Sequence, residues 1–63
     1  MKEYILKLEN SLGNGIVATF VKVKDLIKHT EDNPPQRKYH YYMVVKETTE
    51  TRVDMKAIKQ FYS

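Results

Sequence analysis

The sequence predicts a small α+β domain: an antiparallel sheet of three or four strands, a helical turn after the second strand, and a C-terminal helix packed on one sheet face. Three patterns carry this. Tyr4, Leu6 and Leu8 alternate with Glu3, Lys7 and Glu9, the period of a half-buried strand. Two further stretches, Ile16 to Lys24 and Arg37 to Glu47, are rich in β-branched and aromatic residues, which suit a pleated surface. Near the C-terminus Val53, Ala57, Ile58 and Phe61 recur at helical spacing, as on the apolar side of a docked helix.

The elements follow in order. After the first strand, Asn10-Ser11-Leu12-Gly13-Asn14-Gly15 reads as a hairpin loop, because Asn and Gly adopt positive φ at little cost. The second strand follows, over about Ile16 to Lys24. Asp25-Leu26-Ile27-Lys28-His29 reads as one helical turn with Asp25 as its cap, since a short carboxylate can accept from free amides there. Glu31 to Gln36 contains Pro34 and Pro35, which exclude regular structure and stiffen the connection. The third strand is the longest. Glu47 to Glu50 then turns into a short fourth strand, Thr51-Arg52-Val53. The final helix begins near Asp54, either capped by that residue or through a Thr51/Asp54 capping box.

Length and composition bound the rest. Sixty-three residues, 41% of them apolar, allow one thin core and one domain, 1–63, and a chain this short buries only about 60% of its unfolded surface. The absence of cysteine removes disulfides, thiol chemistry and cysteine-based zinc. The size and strand-rich layout are also those of small barrels of the SH3 and OB kind, the alternative architecture, which implies no function by itself. The charged, alternating stretch Lys2 to Lys7 is unlike a signal peptide. The longest apolar run, Ile16 to Val21, is far short of the roughly 20 residues that span a bilayer. The expectation is a cytoplasmic protein without a membrane partner.

Strand parity then sorts the side chains. One face collects Tyr4, Leu6, Leu8, Val17, Val21, Val23, Tyr39, Tyr41, Met43 and Val45, to be covered by the C-terminal helix. The other collects Ile5, Lys7, Ile16, Phe20, Lys22, Lys24, Lys38, His40, Tyr42, Val44 and Lys46. From Asn33 to Lys46 there is no acid, against three bases, one histidine and three tyrosines, and the chain carries a net charge of +3. Rings among cations suit single-stranded nucleic acid, because bases stack on the rings while Lys and Arg meet phosphates. The expected site is therefore Phe20 and Tyr42 as stacking platforms, Lys22, Lys24, Lys38 and Lys46 as phosphate contacts, with Arg37 and His40 on the same surface.

Catalytic constellations are missing. There is no nucleophile elbow and no phosphate loop, and the carboxylates cluster in loops. The sequence predicts a non-enzymatic binding protein with no cofactor and no metal: a nucleic-acid-binding regulator. The alternative is a protein-interaction module, or an inhibitor of one acidic partner protein of the kind phages and mobile elements encode. It would use Ile5, Ile16, Phe20, Tyr42 and Val44 as an apolar centre. An apolar second face also fits a barrel interior or a homodimer interface.

Overall fold

The computed structural model describes residues 2–62. Its elements are β1 (Glu3–Asn10), β2 (Gly13–Phe20), α1 (Val23–Asp32), β3 (His40–Lys46), β4 (Glu50–Asp54) and α2 (Met55–Phe61). All neighbouring strands are antiparallel, in the order β2-β1-β3-β4. The protein is thus a small α+β fold. The sheet is open, with β2 and β4 as its edges, so the barrel alternative does not form.

Both helices supply side chains to a single buried cluster of Leu6, Leu26, Met43 and Ile58. Leu6 and Met43 stand opposite each other on the two central strands, Leu26 comes from α1 and Ile58 from α2. Each such side chain stabilises the fold by about 1.5–3 kcal/mol before entropy is counted. Seven residues are too few for α2 to persist alone, and Ile58 is its anchor. Phe61, expected on the same apolar side, is exposed.

Helix α1 is longer than the single turn expected. Ten residues from Val23 place Val23, Leu26, Ile27 and Thr30 toward the sheet. The buried Thr30 hydroxyl donates to the Ile27 carbonyl at 2.7 Å, which satisfies it without an outside partner. Asp25 is not the cap: Lys22 holds that position without a side-chain bond, and Asp25 sits in the first turn, where a carboxylate favours the positive end of the helix dipole. At the other end the Asn33 backbone N–H donates to the His29 carbonyl at 2.9 Å. The Tyr41 hydroxyl donates to the Asn33 carbonyl at 2.8 Å, tying the helix exit to β3. Asp54 caps α2 by position only, with no capping hydrogen bond from its side chain.

The β1–β2 hairpin departs most from simple alternation. Its turn is only Ser11 and Leu12, closed by the Asn10 side-chain oxygen, which accepts from the backbone of Leu12 at 2.9 Å and of Gly13 at 3.1 Å. Gly13 has φ +150°, a conformation L side chains rarely adopt. From the turn, Asn10 pairs with Gly13, Leu8 with Gly15 and Lys7 with Ile16; the register then shifts, and Leu6 pairs with Ala18 and Tyr4 with Phe20. Val17 is the extra residue of a β-bulge. A one-residue shift exchanges the two faces. Beyond the bulge, Ala18 and Phe20 therefore lie on the helix side, and Phe20 packs against the core.

Candidate interaction surfaces

The open side of the sheet, away from the helices, carries Glu3, Ile5, Lys7 and Glu9 of β1. Their registered partners are His40, Tyr42, Val44 and Lys46 of β3, and Glu50, Arg52 and Asp54 of β4. Its centre is closed. Arg52 lies over the Tyr42 ring, 4.1 Å from the centroid. The same guanidinium donates through Nη2 to Glu9 Oε1, through Nη1 to Glu9 Oε2 at 3.2 Å, and through Nε to Asp54 Oδ1 at 3.2 Å. The Glu9 hydrogen bond, then that of Asp54, raises the Arg52 pKa above its ordinary value. Beneath this roof Tyr42 is 5% exposed. A guanidinium on a ring face is attracted by the ring's quadrupole, so Arg52 occupies the position a stacked base would need.

The eight residues expected to bind nucleic acid are not assembled on one surface. Phe20 is on the helix side, its ring 5.7 Å from that of His29, because the bulge reverses its parity. Lys22 precedes α1 and Lys24 lies in its first turn. Arg37 and Lys38 form a turn closed by the Tyr39 N–H on the Gln36 carbonyl at 3.0 Å. His40, Tyr42 and Lys46 alone share the open side. Lys46 stands in register between Glu3 and Glu50, so its charge is balanced. Lys22 and Lys24 follow the strand end near Lys46, while Arg37 and Lys38 precede the end at His40. At about 3.4 Å per residue those ends are roughly 20 Å apart. With four acids against Lys7, Lys46 and Arg52, the open side is not basic. The β4 acids were the missed signal: once Val53 is placed with the core, Glu50, Arg52 and Asp54 must face the other way.

A cleft of about 700 Å³ opens between the exit of α1 and the start of α2, lined among others by Glu9, Glu31, His40, Tyr41, Asp54 and Met55. Two of its carboxylates, Glu9 and Asp54, are held by Arg52. Among the described residues no group of three or more His, Cys, Asp or Glu side chains is placed to hold a metal ion. No helix among them is long and apolar enough to cross a membrane.

The β2 edge is the surface the strand pattern did not single out. Leu12 is 94% exposed, Ile16 67%, Val17 40% and Val21 77%. No charged residue occurs from Asn10 to Val21. Ile16 and Val17 lie on β2, with Leu12 in the turn before it and Val21 just after it. Scattered exposed apolar residues are ordinary, but a group of them at an unpaired strand marks an interaction site or an aggregation hazard. Comparison with protein-family models, curated proteins and solved structures finds no match to this chain.

Proposed function

We propose that the protein is a non-enzymatic binding module that works by protein–protein contact through the β1–β2 hairpin and the outer edge of β2. The uncharged, unpaired β2 edge, with Ile16 and Val17 exposed on it and Leu12 and Val21 exposed just beyond its ends, carries this reading. A strand edge offers a row of free N–H and C=O groups to an incoming strand. The apolar side chains beside it add the buried area that gives affinity. The test is a photo-crosslinking residue placed at Ile16, compared with one at Lys46 on the open side. The expected result is a discrete protein adduct from position 16 and none from position 46. Adducts from both positions alike, or from neither, would overturn it.

A second reading keeps nucleic acid as the partner, through the loop before β3. Lys38 has φ 76°, a left-handed conformation costly for a residue other than Gly or Asn. It stands exposed beside Arg37 and close to His40. Strain retained at an exposed cation is the kind of outlier that accompanies a binding role. Lys38→Gly is expected to stabilise the fold by about 1 kcal/mol through relief of that strain. If this reading holds, the same change weakens oligonucleotide binding and lowers its salt dependence. An unchanged salt profile sinks it.

A further inference from the structure

Resting on the protein-contact reading above, we propose that the partner of the β2 edge is a second copy of this chain. The two β2 strands pair antiparallel about a two-fold axis between Ile16 and Val17. The exposed apolar residues are arranged symmetrically about that point: Ile16 and Val17 flank it, and Leu12 and Val21, one residue beyond either end of β2, lie equally far on either side. An antiparallel two-fold pairing there sets Ile16 of each copy opposite Val17 of the other, and brings the turn residue Leu12 beside Val21. In an isologous contact every such pair occurs twice. All four residues thereby lose their exposure in one step. No other antiparallel register pairs all four with one another.

Charge points the same way. Self-pairing normally sets like charges opposite each other, which destabilises a sheet. Asn10 to Val21 has none to oppose. The bulge leaves Val17 without a registered partner on β1. Bulges and charges ordinarily blunt an edge, but here the displaced residue is an exposed valine rather than a lysine. The product is a continuous sheet of two four-stranded halves joined at β2, with the charged β4 edges outermost.

Sedimentation equilibrium of the purified chain, from about 1 µM to 1 mM, reads the association directly. The mass is expected to rise from 7.5 kDa toward twice that value with concentration. Ile16→Lys is expected to weaken association on the order of 100-fold, by setting a lysine against an apolar partner at both symmetric positions. Because Ile16 is largely exposed, circular dichroism of that variant should match the parent. Leu12→Ser, at the fully exposed turn, should weaken it about 10-fold, and Thr51→Lys on β4 should leave it unchanged. A mass of 7.5 kDa throughout, or a dimer indifferent to Ile16→Lys, overturns the proposal. The crosslink at position 16 separates the two readings. An adduct of twice the chain mass supports self-pairing. An adduct with a different protein from a monomeric chain keeps the contact reading and ends self-pairing. No adduct ends both.

Discussion

The two edges of the sheet are built on opposite terms. β4 is five residues long, presents Glu50, Arg52 and Asp54 on the open side, and runs directly into α2. Two of these charges are engaged at close range, with Arg52 bridging Glu9 and Asp54 over the Tyr42 ring. β2 is eight residues long and has no charge at all. One edge is short and charged, and the other is uncharged over its whole length, with the bulge at Val17 as its one protection. This contrast is what the proposed contact at β2 rests on.

Removing the Phe20 ring should have the largest effect. The bulge places Phe20 opposite Tyr4 and against the core, and urea denaturation of Phe20→Ala should show a loss of about 2–4 kcal/mol. An unchanged midpoint would mean that Phe20 is not part of the helix-side core. Next, Glu50→Val combined with Arg52→Val makes β4 resemble β2. Its sedimentation profile should gain species larger than a dimer, because both edges can then pair, and the melting temperature should fall as Tyr42 loses its cover. If the double variant behaves as the parent, charge is not what protects β4.

Much of this was legible in the chain. The face of β1 reads correctly because its alternation is broken only at Ile5, and that of β3 because Tyr41, Met43 and Val45 share one parity; but β3 begins at His40 rather than Arg37 and, at seven residues, is shorter than β1 and β2 instead of the longest strand. The C-terminal helix is visible from Ile58 and its neighbours, and Pro34-Pro35 marks the exit from α1. The face of β2 was not legible, because both of its parities are apolar: Val17 and Val21 against Ile16, Ala18 and Phe20. A single bulge then decides which set is buried, and bulges leave no mark in a strand of mixed apolar residues. The closure of Tyr42 was hidden for another reason. It depends on Arg52 reaching Glu9, 43 residues away in sequence, and on the parity of a five-residue strand. The residues of the expected nucleic-acid surface are separated on these two points, while the hairpin, of which strand parity counts only Ile16 and Phe20 as contacts, exposes Leu12, Ile16, Val17 and Val21.

Amide hydrogen exchange, read strand by strand at low and high protein concentration, tests the asymmetry of the edges most directly. Both edges of a lone sheet hold amides that face solvent and exchange readily. With self-pairing at β2, its amides should slow markedly as concentration rises while those of β4 keep their rates. Exchange in β2 that is independent of concentration, or slowing in β4 instead, would contradict it.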